Sequence, residues 1–465
     1  MLKNLQGNIL KGHGREHTWN IFFQFGANAA ASKRVLRELG NFHVTDAFTQ
    51  LLATEVFKAT GADGGTFCAA FLSNAGYTAL GLAFTPPPNN ANFAPGMKAA
   101  ASLTALADPA VTTWDAHFQS TIHGLILVAD DDIPRGAAAV EEIEKLLVNH
   151  GATIHHVQTG KAIFDTQNRG LEHFGYVDGR SQPLLLAEDI DHEAERAGTA
   201  HWDPAFPLNT ALVPDPLAGG DVNAFGSFFI FRKLEQNVAG FKTAEQKLAT
   251  ALGLTLEDRE RAGALVVGRF EDGTPVTMSA EARDKTVNDF NYKGDTAGSR
   301  CPFHAHVRKT NPRGSGGAEP EPQERLHIMP RRGITYEDVP RAVLPKDLPE
   351  AITQADFETK VLPLLPAGGV GLLFMAYNSK LDNQFVFTQR TWANNLGFPI
   401  VTPPATPPGI DGVIGQGPNN PGGQVYPRQW DNLAGGTAAF DFKGFVTMKG
   451  GEYFFSPSLK FLRNL

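Results

Sequence analysis

Residues 122–158 constrain the fold more than any other stretch. Residues 122–128 form an apolar, β-rich run, 137–149 carry charge with apolar positions at helical spacing, and 152–158 form a second β-rich run. Asp130-Asp131-Asp132-Ile133-Pro134 stands between the first two as a stop. A strand, an amphipathic helix and a strand in succession require a sheet for the helix to bury its stripe on. The same mixture surrounds it. Residues 18–25 predict a strand, and 32–39 and 45–57 predict helices. Later, 226–231 and 369–377 read as strands, 243–252 as a helix and 381–394 as a helix rich in aromatic residues. Two successive sets predict two α+β domains, residues 1–221 and 222–465, each an antiparallel sheet with helices on one face. No sequence repeat relates them.

The chain has 465 residues, 42% of them apolar and 33 of them Phe, which is enough to fill substantial cores. A net charge of -8 argues against a general nucleic-acid binder. Only Cys68 and Cys301 are present, which excludes a disulfide scaffold and a four-cysteine iron–sulfur cluster. The opening residues 1–7 lack the apolar core of a secretory signal, and no uncharged run of about twenty apolar residues occurs. The expectation is a cytoplasmic protein without a membrane partner. Residues 187–221, 313–323 and 401–436 read as loops. The last, with Pro403-Pro404 and Asn419-Asn420-Pro421-Gly422-Gly423, has the length of a loop that frames a site.

Chemistry concentrates in residues 298–313, where His304 and His306 stand beside Arg300, Arg308, Lys309 and Arg313. A neutral imidazole ligates transition metals, and cationic side chains grip carboxylates. One segment thus has the groups to hold both the iron and the propionates of a haem. Residue types alone leave rivals open: a basic loop with core histidines, a non-haem metal site from Asp178, His304, His306 and His327, or a haem held by the Cys301 thiolate. They also do not choose between His304 and His306, because residues two apart on a strand share a face. Four more segments matter: 175–180 with Asp178 between two glycines, 329–336 with Arg331, 371–377 and 384–394. Taken singly, they read as a turn, a basic surface turn, a core strand and a packed helix face.

In this order, and together with Leu5-Gln6-Gly7-Asn8-Ile9-Leu10, these segments resemble the dye-decolourising peroxidases, a haem-peroxidase family, over most of the chain. The resemblance implies two ferredoxin-like domains with haem b, one per chain, between them. It implies His306 as the proximal iron ligand, with Asp178 and Arg331 on the distal side and Leu372 and Phe374 lining the distal pocket. Arg308 becomes the foremost propionate clamp, with Lys309 and Arg313 behind it. Asp382 becomes the acceptor for the second nitrogen of His306. Tyr336 and Trp392 match positions of radical-forming aromatics near the surface, although Trp392 also reads as a core anchor. Tyr176 stands where Phe is commoner and Thr335 where Pro is often found. The segment after Arg332, out to residue 360, is longer than in shorter members.

The implied partners are hydrogen peroxide and aromatic reducing substrates such as phenols and dyes, and the chain is compatible with a homo-oligomer. In the implied reaction, Asp178 shuttles a proton between the peroxide oxygens and Arg331 stabilises the departing one. A ferryl porphyrin-radical centre results, and bulky reductants are oxidised through surface Tyr or Trp. An Asp, with a reference pKa near 3.9, suits turnover in the acidic range. The alternative is a haem-binding or iron-releasing protein without rapid peroxide turnover, carried by the same residues.

Overall fold

Ten strands carry the architecture in this computed structural model, which describes every residue except 345–346, 348–351 and 402–406. They are β1 (His17–Gln24), β2 (Phe67–Leu72), β3 (Gly124–Asp130), β4 (Thr153–Lys161), β5 (Phe225–Gln236), β6 (Ile334–Glu337), β7 (Val370–Asn378), β8 (Gln424–Gln429), β9 (Asn432–Phe440) and β10 (Val446–Ser456). Eight form one antiparallel path, β4-β1-β3-β2-β10-β5-β7-β6, while β8 and β9 pair separately as a hairpin. Within each half the order is the same: fourth strand, first, third, second. The halves are not separate sheets, because β10 meets β2 at Phe455 and Leu72. Joining them removes two open strand edges. At the far ends the Thr335 hydroxyl of β6 donates to the Lys161 carbonyl of β4, but no backbone ladder closes a barrel among the described residues.

The helices used below are α1 (Ala29–Glu38), α2 (Ala47–Thr60), α3 (Ile133–Asn149), α4 (Ala187–Ala197), α5 (Val238–Leu252), α6 (Glu260–Val267) and α7 (His306–Thr310). The start of α3 differs from expectation. Asp132 is its N-cap, accepting from the Arg135 amide at 3.0 Å, and Pro134 sits in the first turn where its missing N–H costs nothing. Its face of Gly136, Val140, Ile143 and Leu147 is buried. α4 lies inside the expected loop 187–221. Its apolar positions are few, Ile190, Ala194 and Ala197, all half-buried on one side among charged residues, and its acidic first turn and basic last turn suit the helix dipole. Residues 384–394 form a single turn, Phe385–Phe387, and a wider π-wound turn, Thr388–Ala393, in place of a regular helix. The expected loop 401–436 contains β8 and the start of β9; Pro403 and Pro404 lie outside the described residues, as do parts of the segment out to residue 360. No described helix is long and apolar enough to cross a membrane.

The larger core runs across the join between halves, where Phe71 of β2 stacks on Phe229 of β5 at 4.1 Å. The Leu5–Leu10 motif threads this region. The Gln6 amide donates to the carbonyls of Ala70 and Pro457, both at 2.8 Å, and accepts from the Ala70 amide. Gly7 has no substitute there, since a Cβ would meet the Phe67 ring at 2.6 Å. A second core gathers Phe174, Tyr176, Phe241, Leu248 and Phe442. A large cavity is lined by residues of both cores and both halves.

Candidate active site

The cavity has a volume of about 590 Å³, within the range of small-molecule and cofactor sites. The first half contributes the strap Gly12–Arg15, which precedes β1, and the segment from Glu172 to Gln182. Glu172 shapes that segment. Its carboxylate accepts from the amides of Phe174 at 2.9 Å and Tyr176 at 3.0 Å, and from the Gln236 side chain. Burial pushes the Glu172 pKa up to about 7 against those donors. Gly175 and Gly179, at φ +104° and +72°, take turns that disfavour a Cβ, and between them Asp178 faces the cavity. The Asp178 amide is fixed by the Gly170 carbonyl at 2.9 Å. The Tyr176 hydroxyl, absent where Phe stands, donates to Glu245 at 2.5 Å.

Arg331 reaches the same space from the chain segment paired with Ala376 of β7. Its amide donates to Gln182 at 2.9 Å and its guanidinium to the Arg180 carbonyl at 2.8 Å. Burial lowers its pKa and the Asp178 charge opposes that shift. Leu372 and Phe374, alternate residues of β7, line the cavity, while Leu373 and Met375 between them are fully buried.

His306 comes from the first residue of α7. Its Nδ1 lies 2.8 Å from Oδ2 of Asp411, a carboxylate with no solvent exposure. A carboxylate only accepts, so Nδ1 carries a proton towards Asp411, and Nε2 is the nitrogen that remains for a ligand on a ring that lines the cavity. The other Asp411 oxygen accepts from the amides of Val413 at 2.8 Å and Ile414 at 3.0 Å. Burial depresses the His306 pKa, but Asp411 outweighs it and the net shift is upward; Asp411 itself is held below the usual carboxylate range by His306 despite its burial. Asp411→Asn is expected to lower the His306 pKa, because the neutral amide no longer supports the imidazolium; an NMR titration of the ring checks this.

Asp382, expected in that role, is elsewhere. Its carboxylate accepts from the Ala91 amide at 2.6 Å and from Asn92 at 2.7 and 3.1 Å, capping a distant turn. The three expected propionate clamps do not line the cavity either. Arg308 is sandwiched between Tyr292 and Phe303 and donates to Asp295 and the Cys301 carbonyl. Lys309 donates to the carbonyls of Asn395 at 2.7 Å and Gly409 at 2.6 Å, tying down the segment that delivers Asp411. Arg313 holds Asn288, Phe290 and the Ser181 hydroxyl. Each cation donates to buried carbonyls of the scaffold around His306, and none lines the cavity.

His304 and His306 diverge because the segment is a turn entering a helix, not a strand. His304 packs edge-on against Tyr426 at 4.4 Å, and burial lowers its pKa to about 3. Cys301 is buried outside the cavity, with burial raising its pKa to about 12. No group of three or more metal-binding side chains occurs among the described residues, so the non-haem constellation is not assembled. Tyr336 and Trp392 are 1% and 2% exposed, buried and not near-surface as expected. Lys233 sits over the Tyr336 ring at 4.9 Å. Trp392 touches the cavity-lining His327, ring centroids 5.1 Å apart, and stacks on Phe398 at 5.3 Å.

One α+β strand order is repeated in both halves, an imidazole, a carboxylate and a guanidinium line one cavity, and the relatives of the chain make it an enzyme of the peroxidase class. The chain belongs to the dye-decolourising peroxidase family. Residues 4–164 match the family described as the DyP dimeric alpha+beta barrel domain. The chain is 47% identical over 471 residues to the multifunctional dye peroxidase DyP2 of an Amycolatopsis species, covering 100% of this chain and 96% of that protein. It is 32% identical to the dye-decolorizing peroxidase msp1 of Mycetinis scorodonius, covering 100% and 87%. The solved structure of the Amycolatopsis DyP2 superposes with a TM-score of 0.91 at 46% identity, covering 100% of this chain and 96% of that one. A dye-decolorizing peroxidase solved in complex with 2,6-dimethoxyphenol superposes with a TM-score of 0.74 at 28% identity, covering 100% and 98%.

Proposed function

We propose that the chain binds one haem b in this cavity and uses it to reduce hydrogen peroxide while oxidising phenols, dyes and related aromatic reductants. The halves 1–221 and 222–465 each supply part of the wall. The Nε2 of His306, on a ring backed by Asp411, carries the reading, since it is a ligand with its second nitrogen already committed. The donor set also fits. Arg180 and Arg269 line the cavity and hydrogen-bond to carbonyls and neutral side chains, with no carboxylate partner among the described residues. Arg180 Nε is buried without a partner, and burial lowers the Arg269 pKa to about 9. Guanidinium groups at the cavity wall with no carboxylate in hydrogen-bond reach suit the two propionates of a largely apolar macrocycle. Leu234, Val267, Val307, Leu372, Phe374 and Met448 supply the apolar contact.

Bound haem supplies the iron at which peroxide is cleaved and the two oxidising equivalents that follow. The protein's part is proton transfer and charge. Asp178 accepts the proton of the inner peroxide oxygen and returns it to the outer one. Arg331 stabilises the charge developing on that departing oxygen. Leu372 and Phe374 restrict the pocket to small oxidants. Aromatic reductants too large to enter donate electrons through Tyr336 or Trp392. Trp392 is coupled to the cavity wall by His327. Replacing Tyr336 and Trp392 together with Phe is expected to lower turnover of a bulky dye about tenfold while leaving peroxide reduction unchanged. Equal loss of both activities excludes this route.

The decisive experiment titrates the metal-free chain with haemin and follows the absorption band near the violet edge. Saturation at one equivalent, followed by a rapid spectral change on adding one equivalent of peroxide, is the expected result. A chain that does not saturate with haemin overturns the reading.

A further inference from the structure

Ser181 is held in a conformation that its residue type disfavours. Its φ of +56° lies in the left-handed region, where a Cβ is crowded and glycine is at ease. It follows Asp178 by three residues, is buried, and lines the cavity. The hydroxyl is fully engaged. It donates to Asn288 Oδ1 at 3.1 Å, and it accepts from Nη2 of Arg269 at 3.1 Å and from Nη2 of Arg313 at 3.0 Å. One donation and two acceptances use all that a serine oxygen offers. Ser181 thus has nothing left for a ligand, and its influence runs through the two guanidinium groups.

Those groups are like charges placed side by side. Both lie over the Phe290 ring, Arg313 at 3.8 Å and Arg269 at 5.3 Å from its centroid, and both are buried. Among the described residues no carboxylate hydrogen-bonds to either. Their repulsion is relieved by an anion, and the remaining bonds of Arg269 decide where that anion can sit. Its Nη1 donates to the carbonyls of Gly273 at 2.8 Å and Val287 at 3.0 Å, and its Nη2 donates to Ser181 and, at 3.0 Å, to Asn288 Oδ1. Four of the five N–H groups are therefore committed to the scaffold. Only Nε–H has no partner among the described residues, on a side chain that lines the cavity.

We propose that Ser181 is a positioning residue for the cofactor: it locks Arg269 so that the Nε–H edge takes one porphyrin carboxylate, and it thereby sets a preference for a porphyrin whose carboxylates are free. The assignment rests on the haem reading above. A role confined to the backbone turn fits less well, because glycine forms that turn without strain. The same oxygen also joins separate parts of the site, since Arg313 follows His306 by seven residues and Ser181 belongs to the Asp178 turn.

Titrating the metal-free chain with haemin and with haemin dimethyl ester, which has no free carboxylate, tests this. The parent should bind haemin at least ~10-fold more tightly than the ester, the scale of one charge-assisted hydrogen bond. Ser181→Gly relaxes the backbone and removes the hydroxyl, and it should lower that ratio at least ~3-fold with ester binding at the parent level. Ser181→Ala keeps the β-carbon and should lower the ratio equally. Damage to packing or to the fold weakens both porphyrins alike, so the ratio separates positioning from a structural role. A parent that takes up neither porphyrin removes the haem reading and this assignment with it. Equal binding of the two porphyrins by the parent overturns the Ser181 assignment while haem binding stands. So does a parent ratio in Ser181→Gly, or a fall confined to Ser181→Ala.

Discussion

His306→Ala is expected to abolish stable haemin binding and to reduce peroxidase activity beyond the ~10–100-fold of losing an outer partner. The argument rests on geometry: Nδ1 is spoken for by Asp411, and Nε2 is the nitrogen that remains for a ligand on a ring lining the cavity. The same change strands Asp411, which has no solvent exposure, and breaking a buried pair costs about 3–5 kcal/mol. Lower stability alone would then imitate a ligand effect. His306→Gln separates the two, because its amide can still donate to Asp411 while offering a poor iron ligand. The glutamine variant should melt closer to the parent and still fail to give the parent spectrum. A glutamine variant with the parent spectrum would remove His306 from the iron.

Asp178→Asn is expected to lower kcat/KM for peroxide by ~10²–10⁴-fold while haemin binding is retained, since the amide cannot carry the proton between the two oxygens. Arg331→Leu should lower it by ~10²–10³-fold through lost charge stabilisation. In the proposed mechanism the two groups serve one event, so the double variant should lose less than the product of the single losses. Stopped-flow mixing with peroxide measures all three. An unchanged rate in Asp178→Asn would move the proton transfer to another group. The next carboxylate to examine is Glu172, which lines the same cavity.

The residues that can be read from the sequence are those with local motifs. Asp178 sits between two glycines whose positive φ values the turn requires, and Leu372 and Phe374 alternate on one strand. With His306 and Arg331 they all line one cavity. Asp411 has no such signature. It lies 105 residues from His306, and the only hint was the unusual length of the loop that contains it. Asp382 took that role only through the resemblance, and its carboxylate serves a turn instead. The basic run after His306 misled for a related reason. Charge in a sequence marks a need for partners, and Arg308, Lys309 and Arg313 find theirs in buried carbonyls and, for Arg308, Asp295. The cations that do face the cavity, Arg180 and Arg269, come from separate segments. The stripe of α4, Ile190, Ala194 and Ala197, is narrow and mostly alanine, so acidic residues and the prolines that follow outweighed it in the reading of 187–221 as a loop.

The place of β10 in the sheet has a consequence for folding. It pairs with both β2 and β5, and the Gln6 side chain bridges Ala70 to Pro457 just beyond it. Until β10 is seated, each half keeps an open strand edge, so the two halves complete one another only through a segment far along the chain from the residues it joins.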